Sequence, residues 1–138
     1  MSYLRFEDTP GGIDVVFFDV QGTDNPANFV GTTIATGLSR TTPHAIKLTM
    51  DVADGPSNDV VNVYIDGPLV HTGTSWENYY RYDSEANAEQ SPRIVKTVIF
   101  RTAGTACGGC SGDGFLVDNL STSSSVPVPV ELSMFGIE

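Results

Sequence analysis

Residues 44–72 read HAIKLTMDVADGPSNDVVNVYIDGPLVHT. Ile46, Leu48, Met50 and Val52 alternate with Lys47, Thr49 and Asp51. A period of two puts the apolar set on one face of a strand and the polar set on the other. Val61, Val63 and Ile65 repeat the pattern against Asn62, Tyr64 and Asp66. Between the runs lies Asp54-Gly55-Pro56-Ser57-Asn58-Asp59, a composition that breaks a strand rather than continuing it. Asp66-Gly67-Pro68 makes a second break before the short apolar run 69–72. The pattern predicts a three-stranded antiparallel meander with one face on a core.

Toward the N-terminus, Leu4 and Phe6 alternate with Arg5 and Glu7, and Thr9-Pro10-Gly11-Gly12 supplies a turn. Residues 13–20, IDVVFFDV, are apolar on both faces, as expected of a strand central in its sheet. Residues 21–28 read as a loop, and the Thr-rich residues 29–38 as an edge strand. Beyond Thr72, residues 73–92 form a long irregular connection in which 76–80 suit a single helical turn. Residues 94–101, IVKTVIFR, and 115–121 return to strand character on either side of a small-residue loop. Short strands with turn signals between them define an all-β chain, an antiparallel two-sheet β-sandwich. The sandwich domain is expected over 1–121, followed at 122–138 by a Ser/Pro linker and an apolar C-terminal strand.

Composition agrees. A chain of 138 residues can bury one core, and 40% hydrophobic with 17% charged residues and 14 Gly favours β over helix. A net charge of −10 with seven scattered Lys and Arg argues against nucleic acid and against an anionic membrane surface. No apolar run is long enough to cross a bilayer, so membrane insertion is not expected. The first residues, MSYLRFEDTPGG, lack the basic and apolar regions of a secretory signal. Because the chain begins and ends inside expected strands, it reads as a trimmed part of a longer protein, with a cytosolic protein as the alternative.

Three phrases carry a resemblance: HAIKLTMD from His44, VNVYIDGPLV from Val61, and GFLVDNLS from Gly114. They resemble jelly rolls of the concanavalin A-like lectin and laminin G superfamily. The stretch HTGTSWENYYR from His71 is similar to bacterial secreted proteins of that type. The resemblance implies a jelly-roll sandwich at the cell surface or outside the cell. It implies no single activity, since that superfamily holds lectins, adhesion modules, glycosidases and structural domains.

Candidate sites follow from side-chain chemistry. Glycosidases of this fold place carboxylates on one strand as E-x-D-x-x-E, and no strand here carries that pattern. His44 and His71 are the only histidines, and each reads as structural. Trp76, Tyr79, Tyr80 and Tyr82 concentrate aromatic rings that can stack on pyranoses, with Asn78 and Asp83 placed to take hydroxyls. The competing reading is that the same loop folds its rings over a sheet. Asp51, Asp54, Asp59 and Asp66 around the meander turns, with Asp113 and Asp118 further on, are candidate oxygen ligands for Ca2+. In turns such residues more often cap their own backbone. Cys107 and Cys110, spaced C-x-x-C between strands, suggest a short loop disulfide and an oxidising compartment, with two free thiols as the alternative.

The C-terminal stretch alternates Val126, Val128, Val130, Leu132 and Met134 with Pro127, Pro129, Glu131 and Ser133. An extended apolar segment after a linker suits a groove of its own domain or strand addition to a neighbouring copy. The expectation is therefore a non-catalytic extracellular module, either glycan-binding and adhesive or structural. The alternative is a subunit that assembles with copies of itself into a fibre or array by terminal strand exchange. A glycoside hydrolase or lyase ranks third.

Overall fold

The computed structural model describes residues 2–86, 97–104 and 115–125. Strands β1 (Tyr3–Thr9), β2 (Gly12–Val20) and β3 (Phe29–Leu38) form one antiparallel sheet in that order. Strands β4 (Ile46–Asp51), β5 (Val60–Ile65) and β6 (Leu69–Gly73) form a second. One short helix, α1 (Glu77–Tyr82), follows. Among the described residues the protein is a two-sheet, almost helix-free β structure in which each sheet is a meander. The described strands do not themselves carry the interleaved connections that define a jelly roll.

Local chemistry accounts for each turn. Thr9 Oγ1 donates to the Gly12 carbonyl at 3.0 Å, closing the first hairpin with Thr9 opposite Gly12. Arg40 ties the end of β3 back to this hairpin, reaching the Asp8 carboxylate at 2.7 Å and the Thr9 carbonyl. Asp66 and Gly67 both hold positive φ, 55° and 108°, the backbone that a two-residue hairpin of right-handed twist demands. The Ile65 N–H donates to the Pro68 carbonyl at 3.2 Å across that turn.

Register places the apolar sets face to face. Ile46 stands opposite Ile65, Leu48 opposite Val63 and Met50 opposite Val61, so the alternation seen in the sequence lands on one face of the second sheet. On its other face Lys47 lies over the Tyr64 ring, 4.7 Å from the centroid. From the first sheet, buried Phe17 meets buried Val61 and Val63, with Leu4, Ile34 and Met50 packed around them. The central strands β2 and β5 thus press together through one core.

Gly73 lets the sheets approach that closely. A Cβ there would stand 2.6 Å from Phe17 Cε1 and 2.9 Å from both Asp19 Oδ2 and His71 Nε2. The outer face of β2 is apolar as well: Val16 and Val20 are buried, and Phe18 joins the aromatic cluster described below. The central position expected for residues 13–20 is the observed one.

Two expected strands are corrected. Residues 97–101 and 115–121 carry no strand, and Val98, Ile99, Phe100 and Leu116 project into solvent. Alternation reports where side chains would point, whereas a strand also needs a neighbour's N–H and C=O groups, and no described strand supplies them. Phe115 meets the first sheet, its ring lying 6.1 Å from that of Phe6.

Candidate functional site

The segment leaving β6 is the junction of the molecule. Thr74 N–H donates to Asp19 Oδ2 at 3.2 Å, holding the exit of β6 to β2. Ser75 is buried, donates its hydroxyl to Asp59 Oδ2 at 2.6 Å, and accepts the Glu77 N–H at 3.0 Å. Glu77 Oε1 then accepts the backbone N–H groups of Asn58 at 2.6 Å and Asp59 at 2.9 Å. Its second oxygen pairs with Arg81 Nε at 3.4 Å, one helical turn on, and Arg81 Nη2 reaches the Gly55 carbonyl at 2.9 Å. Asp59 Oδ1 accepts the Ala53 N–H at 3.0 Å. The loop between β4 and β5 is thereby held from both its ends.

The loop between β2 and β3 is held by the same helix. Asn78 Nδ2 donates to the Gly22 carbonyl and to Ser57 Oγ, bridging both loops. Asp83 Oδ2 accepts the Ala27 N–H, and its other oxygen accepts the Glu85 N–H at 2.8 Å. Ser84 donates through its N–H and hydroxyl to Asn25 Oδ1 at 3.3 and 3.2 Å. Buried carboxylates are tolerated when N–H and O–H donors surround them, and Asp19, Asp59, Glu77 and Asp83 all meet that condition.

Outside this polar net sits an aromatic face. Trp76 donates its indole N–H to the Phe18 carbonyl at 3.0 Å, which fixes the ring against β2. Around it stand Phe29 at 4.8 Å, Tyr3 at 6.3 Å and Tyr79 at 6.3 Å, all edge-on, the geometry that aromatic quadrupoles prefer. Tyr3 also lies 5.1 Å from Phe18, and Tyr79 lies 5.3 Å from Phe29 and 5.1 Å from Tyr80. Tyr3 and Phe29 each keep 41% of their surface in water. Arg5 stacks over the Phe18 ring at 4.7 Å and is paired with Glu7. Within α1, desolvation raises the pKa of the Tyr79 phenol above its ordinary value, and the neighbouring Glu85 and Asp83 carboxylates raise it further.

No family model matches the chain, and no curated protein or solved structure does either.

Of the residues named from the sequence for a glycan, Trp76, Tyr79 and Tyr80 are brought together. Tyr82 ends α1, partly buried and apart from the described ring contacts. Asn78 and Asp83 point inward and hold loops, so their polar atoms face the protein rather than a ligand. Three further members, Tyr3, Phe18 and Phe29, come from the first sheet. Their signal was the second apolar face of residues 13–20, with Tyr3 pairing Phe18 and Phe29 pairing Val20. The Glu77–Arg81 pair has i, i+4 spacing but runs one residue beyond the turn expected at 76–80.

The candidate calcium ligands are scattered. Asp51 and Asp54 are exposed, Asp59 serves Ala53 and Ser75, and Asp118 lies in the exposed 115–125 segment. Asp66 accepts from the Ala45 N–H at 2.9 Å and lies 2.7 Å from His44 Nδ1. Among the described residues no three His, Cys, Asp or Glu side chains converge to hold a metal ion. Asp113, the pair Cys107 and Cys110, and the stretch Val126, Val128, Val130, Leu132 and Met134 lie outside the described residues. Among the described residues no helix is long and apolar enough to cross a membrane. His71 packs on the Phe17 ring at 4.9 Å, and His44 lies 3.2 Å through Nε2 from the Ser39 carbonyl.

Proposed function

We propose that this chain is a non-catalytic extracellular β-sandwich module that binds carbohydrate on the face built by Tyr3, Phe29, Trp76 and Tyr79. The supporting observation is that these rings stand outside the inter-sheet core, with Tyr3 and Phe29 each keeping 41% of their surface in water, beside a partly buried Trp76 held by its own N–H. A pyranose presents a patch of polarised C–H groups, which complements the electron-rich face of an aromatic ring. Rings already fixed by packing lose little freedom on binding, so contact converts efficiently into affinity. The phrases that resemble the concanavalin A-like superfamily support the extracellular β-sandwich part of this reading. A glycan array followed by calorimetry tests it. Phe29→Ala and Tyr3→Ala, at half-exposed positions, are expected to weaken the retained glycan about tenfold together, a loss of about 1.4 kcal/mol. Retention of no glycan, or full affinity in the double variant, removes the proposal.

A second reading, assembly with copies of itself, rests on a different observation. Ile99 and Leu116 are 78% and 94% exposed on segments that pair with no strand among the described residues, and such apolar chain favours being covered. Strand donation by 126–134 is the proposed means. Sedimentation velocity on the full chain and on a chain lacking 126–138 tests this, with conversion of assemblies to monomers as the expected result. Identical distributions would eliminate strand donation.

A further inference from the structure

We propose that Asn119 is an N-glycosylation site, the acceptor of an oligosaccharide carried on a lipid pyrophosphate. This inference rests on the extracellular part of the reading above and is independent of the aromatic face.

Residues 119–121 read Asn-Leu-Ser, the acceptor pattern N-x-S with a residue other than proline at its centre. So short a pattern carries weight only in the right setting, an exposed turn that a transferase can reach. A strand over 115–121 would deny that setting, because its backbone would be committed to a ladder. In its place the chain from 115 to 125 is exposed and irregular, and Asn119 is the point at which it bends. Its φ of 50° is left-handed, a conformation that asparagine adopts more readily than most residues.

Other asparagines are occupied in holding the fold. Asn25 Oδ1 accepts from Ser84, Asn58 Nδ2 donates to the Asp54 carbonyl, Asn62 Oδ1 accepts from Thr72, and Asn78 bridges two loops. The Asn119 amide has no hydrogen-bond partner among the described residues, so modifying it breaks none of these bonds. Its neighbours Leu116, Val117 and Leu120 are all exposed. A hydrated oligosaccharide beside them would shield apolar chain and oppose association through this segment.

In the transfer, Asn119 Nδ2 bonds to the anomeric carbon of the first sugar as the bond from that carbon to the pyrophosphate oxygen breaks. The lipid pyrophosphate leaves with the electron pair, and the amide gives up one proton to a base of the transferase. Ser121 supplies the hydroxyl by which the acceptor is recognised.

The test is intact-mass and peptide mass spectrometry of the full chain from its producing cells, before and after peptide N-glycosidase in heavy-oxygen water. The mass is expected to fall to that of the bare chain, with residue 119 read as Asp carrying one heavy oxygen. Asn119→Gln and Ser121→Ala are expected to lose the added mass, and Ser121→Thr to keep it. Chain found outside the cell with Asn119 bare overturns the site and leaves the extracellular reading in place. A sugar that persists in Ser121→Ala overturns the acceptor assignment. Chain retained inside the cell overturns both readings together.

Discussion

Glu77 Oε1 accepts the backbone N–H of Asp59 at 2.9 Å, linking residues 18 positions apart, and the same oxygen accepts the Asn58 N–H. Two donors of one loop therefore converge on one buried carboxylate. Its removal takes this acceptor from both and takes from the Arg81 guanidinium its carboxylate partner, leaving it the Gly55 carbonyl. Glu77→Ala should destabilise by about 3 kcal/mol, the cost of orphaning buried donors and an ion-pair partner. Glu77→Gln keeps an acceptor oxygen for the loop and should cost about 1 kcal/mol. Urea midpoints of the three proteins check the order, and equal midpoints for Ala and Gln would show that the oxygen does not matter.

Gly73 has no room for a methyl group. The added carbon would press on Phe17 Cε1 at 2.6 Å, and Phe17 is fully buried between the sheets. Gly73→Ala should lower stability by about 1–3 kcal/mol, the usual cost of overpacking a core. Shrinking the ring should relieve part of that cost, so Phe17→Leu and Gly73→Ala are expected to be less damaging together than their separate effects imply. Thermal melting of the four proteins of this cycle measures the coupling. Strict additivity would show that the collision is elsewhere.

The His44–Asp66 contact predicts a response to acid. The hydrogen bond from His44, with the Ala45 N–H second, holds the Asp66 carboxyl below its usual value of 3.8. A carboxyl lowered by folding stabilises the native state when ionised. That contribution is complete above the unfolded value and is lost as pH falls through the lowered one. Asn accepts the positive φ of this position, so Asp66→Asn removes the charge without straining the turn. The stability difference between the two proteins should narrow as pH falls below about 4 and the Asp66 carboxylate is protonated. Denaturant midpoints across pH 7 to 2 measure it, and a gap unchanged at pH 2 would assign the effect to something other than ionisation.

The second sheet was readable because every signal it uses is local. Ile46, Leu48 and Met50 declare a face by spacing alone, and Asp66-Gly67 declares a turn by tolerating left-handed backbone. The site was legible only in its aromatic residues. Asn78 and Asp83 looked available for a ligand because polar residues in a loop normally face water, yet their partners Gly22 and Ala27 lie 56 positions earlier. Nothing in spacing reveals a hydrogen bond over that separation. Phe29 was hidden for the same reason, since its neighbour Trp76 belongs to a distant turn. At 97–101 the fault ran the other way, because alternation was present and the ladder was not.

The reach of the segment after β6 also sets an order of events during synthesis. Each meander closes through neighbours that emerge from the ribosome within moments of one another, and such contacts form quickly. The bonds from Thr74 to Asp19, Trp76 to Phe18 and Ser84 to Asn25 span 55, 58 and 59 positions. The first three strands must therefore wait, with one greasy side uncovered, until the turn carrying Trp76 has been translated. A pause in elongation before that codon would lengthen the interval in which nascent chains can stick to one another.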